Sequence, residues 1–168
     1  MDYFELYGLK VSLLINRSYN QKKYYELCRL HHPDHFTLAS HDQQMKAEMQ
    51  LATINDAKKV LDDEYRRLAY ILQLKGHLKE DERYDLPPTF LAEMMDINEM
   101  LMEMEFEPNE NALQAIKQEI QSKKEKLSSQ LESYRNMDDL QLDENAITML
   151  KAYYFQMKYL NRIDEKLN

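Results

Sequence analysis

Side chains able to bind a metal, move a proton or attack a carbonyl crowd together once in this sequence, at Cys28, His31-His32-Pro33-Asp34-His35 and His41. Cys28 and His32 are one helical turn apart and could share a metal ion. The chain has no HExxH and no CxxC pair, however, and Pro33 splays successive side chains apart, so no metal is expected. Cys28 with His31 or His32 could be drawn as a nucleophile and its base. No glycine lies nearby to open an oxyanion site, and a mid-helix cysteine reads as packing. Neither Gly8 nor Gly76 belongs to a glycine-rich phosphate loop. No catalytic residue and no cofactor are therefore expected, and the protein is not read as an enzyme. The plainest account of His32-Pro33-Asp34 is a helix stop followed by a turn-forming aspartate, a tripeptide that chance supplies in on the order of one such chain in a hundred.

The elements that must carry this tripeptide are helices. Only two of 168 residues are glycine and four are proline, while 31% are charged. A β-sheet protein needs more turn formers than this, whereas Met, Leu, Glu, Lys and Gln suit helices. The fold class is all-α. A short opening turn (2–7) precedes a helix over about 20–32, with Tyr24, Leu27 and His31 on one stripe and Lys22, Lys23 and Arg29 on its outer surface. Pro33 stops it. A second helix, about 41–61, repeats at Leu51, Ile54, Ala57 and Leu61, and a third, about 63–75, at Tyr65, Leu68, Ala69 and Leu72, with Gly76 as its cap. The first two enclose a short loop and should lie antiparallel.

Gly76, the charged run Lys79-Glu80-Asp81-Glu82-Arg83 and Pro87-Pro88 mark a linker over 76–87, separating a domain at 1–75 from one at 88–168. The second domain reads as three long helices. Their stripes are Phe90, Met94, Ile97, Leu101 and Met104 (about 88–106); Leu113, Ile116, Ile120, Leu127, Leu131 and Tyr134 (about 110–135); and Ala146, Leu150, Tyr153, Met157 and Leu160 (about 143–167). Three such stripes can bury one another as an antiparallel bundle.

Charge is unevenly placed. Residues 1–72 are neutral, with ten basic and ten acidic side chains, and 73–168 carry the whole net charge of −8. An acidic half disfavours nucleic acid and suits a basic protein partner. No apolar run is long enough to span a membrane, the start Met1-Asp2-Tyr3-Phe4-Glu5 lacks a basic leader, and the single cysteine fits a reducing compartment. A cytoplasmic protein is expected.

On the 88–106 helix a second apolar cluster, Leu91, Met95 and Met102, lies about 120° from the core stripe, with Ala92, Asp96, Glu99 and Glu103 just beyond. Spacing alone leaves two readings. Either a broad apolar face packs beneath two neighbours, or an acid-rimmed strip waits for a partner.

The segments Met1-Asp2-Tyr3-Phe4-Glu5-Leu6-Tyr7-Gly8-Leu9, then Tyr24, Leu27, Arg29, His32-Pro33-Asp34 and Phe36, then Ala52-Thr53-Ile54-Asn55-Asp56-Ala57 form one series along the chain. Leu61, Arg67, Ala69, Tyr70, Leu72, Gly76 and the stretch Phe90-Leu91 to Leu101 continue it. On these residues the sequence resembles the HscB family, J-type co-chaperones of iron–sulfur cluster assembly. The resemblance covers nearly the whole chain and thins between 106 and 145.

The resemblance implies a J-domain, an antiparallel helical hairpin with a supporting helix, joined to a C-terminal three-helix bundle. It implies that His32, Pro33 and Asp34, with Lys22, Lys23 and Arg29, dock on the ATPase domain of a DnaK-class, HscA-like chaperone and favour hydrolysis there. In that setting Pro33 lowers the ordering cost of binding, Asp34 can accept a bidentate bond from a partner arginine, and the cations steer association. It also implies that Leu91, Ala92, Met95, Asp96, Glu99 and Glu103 bind the scaffold protein IscU, with an aromatic from the last helix, Tyr159 in preference to the core-stripe Tyr153. Ala92 stands where a larger apolar residue is usual. His35 stands where lysine is usual, exchanging a permanent charge for an imidazole, so docking is expected to respond to pH near neutrality. A J-domain protein with another client, or a helical adaptor with no chaperone partner, are the rival readings.

Overall fold

The computed structural model describes residues 1–135 and 142–167. The predicted domain at 88–168 therefore includes 136–141 and 168, which lie outside the described residues. Helices α1 (Tyr3–Tyr7), α2 (Arg17–Leu30), α3 (His41–Asp62), α4 (Glu64–Leu74), α5 (Pro88–Phe106), α6 (Glu110–Ser129), α7 (Glu132–Arg135) and α8 (Glu144–Lys166) follow in order, with a 3-10 turn at Pro33–Phe36. Among the described residues there is no strand. They divide into two compact units. One holds Met1–Ile71 with Tyr134 and Arg135; the other holds Leu72–Ser133 and the chain from Leu142 on.

In the first unit α2 and α3 form the hairpin. Asn20 Nδ2 donates to Asp62 Oδ1 (2.7 Å), Lys58 Nζ to Gln21 Oε1 (2.9 Å) and the Tyr24 hydroxyl to Asn55 Oδ1 (2.9 Å). Numbers rise on α2 as they fall on α3, so the pair is antiparallel. Between them Leu27, Ile54, Ala57 and Leu61 are buried with Phe4 and Tyr7 of α1 and Leu68 and Ile71 of α4. Each leucine, isoleucine or phenylalanine among them contributes about 1.5–3 kcal/mol by leaving water. The Tyr7 hydroxyl donates to the Ile54 carbonyl (2.9 Å) inside this core, and burial pushes its pKa up. Tyr3 stacks on Tyr70, ring centroids 4.5 Å apart, which seats α1 on α4.

Arg67 is the buried cation of this unit. Its Nε donates to the Leu13 carbonyl at 2.8 Å, and its guanidinium also reaches the Leu61 carbonyl. Burial draws its pKa below the usual arginine value, opposed by nearby Glu64 and Asp63. The side chain thereby ties the segment before α2 to the end of α3.

The second unit packs α5, α6 and α8 around Phe90, Met94, Ile97, Ile116, Ile120, Leu127, Leu150, Tyr153, Met157 and Leu160. A three-residue connection between α5 and α6 turns the chain back on itself. Pro88 opens α5, where its missing N–H costs nothing. The segment over 76–87 holds no helix, yet it is laid against α8. Leu78 is buried, Tyr84 stacks on Phe155 (4.4 Å, nearly parallel) and Glu82 pairs with Lys151.

Two helix limits differ from the sequence reading. Asn16 caps α2 by accepting from the Tyr19 amide (3.0 Å), so that helix begins at Arg17 rather than near 20. The helix expected over about 110–135 ends at Ser129, whose hydroxyl turns back to the Lys126 carbonyl (2.7 Å), and α7 resumes after the break. Gly76 caps α4 in the left-handed region, φ 77°, as its position suggested.

Candidate functional site: an exposed turn and an apolar strip

His32, Pro33 and Asp34 are all exposed. They sit on the 3-10 turn that joins α2 to α3. His32 initiates it, with Nδ1 accepting from the Asp34 amide at 3.3 Å while the Asp34 carboxylate lies 3.4 Å from the same nitrogen. These two contacts need different protonation states. A neutral His32 that accepts through Nδ1 carries its proton on Nε2, leaving an N–H for a partner to receive. The Asp34 side chain is 84% exposed.

One α3 side chain holds this turn in shape. Gln44 Nε2 lies within hydrogen-bond distance of the Phe36 (3.1 Å), Thr37 (3.4 Å) and Ala39 (3.2 Å) carbonyls. Ser40 and Gln43 form a capping box that starts α3 immediately after it. The sequence carries a signal for the box, in Ser40-x-x-Gln43, but none for Gln44.

The cations predicted beside the turn are not equivalent. Lys22 and Arg29 are exposed, whereas Lys23 is half-buried and paired with Glu26 at 3.2 Å. His35 is exposed, its ring edge-on to His32 with centroids 6.3 Å apart. Cys28 is half-buried beside Tyr24, and the neighbouring thiol, with burial, pushes that hydroxyl's pKa up. Among the described residues no three His, Cys, Asp or Glu side chains come together as a metal site.

On α5 the second apolar cluster faces outward. Leu91 is 44% exposed, Met95 60% and Met102 63%. Ala92, Asp96, Glu99 and Glu103 are exposed as well, and Phe106 extends the apolar surface at the helix end. The two candidate tyrosines separate clearly. Tyr153 is 4% exposed and belongs to the core. Tyr159 is half-buried, sets its ring edge-on to Phe90 (5.7 Å), and accepts from the Asn98 amide at 3.1 Å. Tyr159 thus adjoins α5 while staying in reach of solvent. On the far flank of α5, Glu93 is paired with Lys123 of α6 (2.9 Å), a bond that holds its carboxyl pKa down.

Residues 86–168 match the family model described as the HscB C-terminal oligomerisation domain. The human iron–sulfur cluster co-chaperone protein HscB is 30% identical over 167 residues, which span 99% of this chain and 67% of the human protein. The chain belongs to the HscB family. The HscB homologue of Vibrio cholerae serotype O1 (strain M66-2) is 37% identical over 102 residues, 60% of each chain. The crystal structure of human HscB superposes with a TM-score of 0.83 at 29% identity, covering 99% of this chain and 80% of that one. Vibrio cholerae HscB superposes with a TM-score of 0.67 at 28% identity over the full length of both. The relatives are named as co-chaperones, and HscB membership agrees with the all-helical arrangement of both units. No described helix is long and apolar enough to cross a membrane.

Proposed function

We propose that this chain is a J-type co-chaperone that stimulates the ATPase of a DnaK-class, HscA-like chaperone and delivers to it an IscU-type iron–sulfur scaffold. The observation that carries this reading is the exposed, internally braced turn at His32-Pro33-Asp34, displayed at the end of a rigid antiparallel hairpin. A turn already ordered before contact loses little entropy on docking. It offers an imidazole N–H, an acidic acceptor and, through Lys22 and Arg29, positive charge to an acidic partner surface. Hydrolysis of ATP is assigned to the partner. The role of this chain is to bind one state of that partner better than the other, which shifts its population.

The scaffold role rests on the α5 strip. An exposed ridge of leucine and methionine fringed by three carboxylates has the composition of a docking surface, apolar at its centre and charged at its rim. Leu91, Ala92, Met95, Asp96, Glu99, Glu103 and Tyr159 would make the contact.

Single-turnover ATP hydrolysis by the chaperone, with this protein and the scaffold added separately and together, tests both roles. His32→Gln should abolish stimulation without lowering the melting temperature. Leu91→Ala/Met95→Ala should leave intrinsic stimulation intact and weaken scaffold binding in calorimetry by about tenfold, given that central apolar contacts each cost over about 1 kcal/mol on truncation. No stimulation by the wild-type protein would reduce it to a helical adaptor, and full stimulation by His32→Gln would remove that side chain from the docking contact.

A further inference from the structure

A groove of about 600 Å³ runs between the C-terminal halves of α5 and α8, within the second unit. Leu101, Met102 and Ile163 line it, and Asn98 and Tyr159, joined by their hydrogen bond, close one end. Arg162 and Lys166 form its α8 edge. Both are exposed, and neither makes an ion pair among the described residues. Glu105 lines the α5 side.

The groove is continuous with the α5 strip, since Met102 and Tyr159 belong to both. Its two edges carry opposite charge, with Asp96, Glu99 and Glu103 beyond the ridge on one side and Arg162 and Lys166 on the other. In a chain whose second half has a net charge of −8, two exposed cations with no ion-pair partner among the described residues, bordering an apolar channel, ask for an acidic counterpart. We propose that this groove is the second half of the scaffold-binding surface. It receives an amphipathic segment of that same partner, with apolar side chains in the channel and carboxylates against Arg162 and Lys166. The inference rests on the scaffold reading above. Opposed edges would also fix the direction in which the segment lies, because a reversed segment would set like charges together.

Titration calorimetry with the purified scaffold protein tests this at low and high salt. Arg162→Gln/Lys166→Gln should weaken binding about threefold and Arg162→Glu/Lys166→Glu about tenfold at low salt, with the losses shrinking at high salt as exposed charges are screened. Circular dichroism should show unchanged helix, since both positions are exposed. Wild-type affinity for Arg162→Glu/Lys166→Glu overturns the groove proposal. Leu91→Ala/Met95→Ala, run alongside, separates the two failures. If it weakens binding while the charge reversal does not, the α5 strip stands without the groove; if neither variant loses affinity, the scaffold reading has failed too.

Discussion

Asn98 donates its side-chain amide to the hydroxyl of Tyr159 at 3.1 Å, linking the exposed half of α5 to α8. Tyr153, on the same helix, is buried in the core. The two tyrosines should therefore fail in different ways. Tyr153→Ala is expected to cost about 3–5 kcal/mol of stability, as for other large aromatic truncations in a core. Tyr159→Ala should cost about 1 kcal/mol through its lost contact with Phe90, yet weaken scaffold binding about fivefold. Urea denaturation and calorimetry on both variants would check the split. A Tyr159→Ala protein with unchanged affinity would remove that residue from the proposed surface.

Lys22 and Lys23 are adjacent in sequence but differ in freedom, because Lys23 is engaged by Glu26. Lys22→Glu should raise the concentration needed for half-maximal ATPase stimulation about fivefold at low salt, and less at high salt. Lys23→Glu should do less, its charge being already partly neutralised. Titrating each variant against the chaperone gives the comparison, and equal effects would count against a docking face that depends on free charge.

Glu82 fastens the segment before α5 to Lys151, and that hydrogen bond, followed by the one from the Lys79 amide, lowers its carboxyl pKa. A folded-state pKa below the unfolded value means that the pair stabilises fully above the unfolded pKa, roughly 4.3 for glutamate, and is lost as pH falls through the folded value. Glu82→Gln should thus be less stable than wild type at pH 7 by up to about 1 kcal/mol. The two proteins should converge once acid has neutralised Glu82. Melting curves between pH 7 and 3 would show the gap closing, whereas a gap independent of pH would point to packing instead of charge.

Arg67 supplies hydrogen bonds to two main-chain carbonyls, Leu13 and Leu61, that are otherwise shut away from water. Arg67→Met keeps much of the volume but leaves both acceptors without this donor. At about 1–3 kcal/mol for each unsatisfied group, offset in part because a buried cation no longer has to be desolvated, the net loss should be about 2–4 kcal/mol. Equilibrium unfolding in urea measures it directly.

Much of this was legible in the residues themselves. Scarce glycine and periodic apolar positions gave the all-helical class, and α3, α4, α5 and α8 fall within about two residues of their expected limits. Pro33, Gly76 and Pro88 marked ends and starts because each restricts or frees the backbone at its own position. Side-chain caps were harder to read. Asn16 and Ser129 act through one hydrogen bond each, which moves a helix limit without disturbing the hydrophobic period.

The α5 strip was visible as an apolar cluster off the core stripe, but spacing could not say whether a neighbouring helix covered it. That depends on where α6 and α8 lie, a matter of long-range packing. Arg162 and Lys166 continue a 3-4 spacing from Tyr159, a pattern that gains meaning only beside α5. Gln44 had no signal at all, since its three carbonyl contacts arise from the path of a loop.

That one amide meets three carbonyls of the corner between α2 and α3 has a bearing on inherited variation. A change at Gln44, which is outside the tripeptide but lies beside Pro33 and Asp34, would slacken the corner and dull the response of the whole machine while His32, Pro33 and Asp34 themselves stayed intact. Judging variants by the tripeptide alone would overlook it.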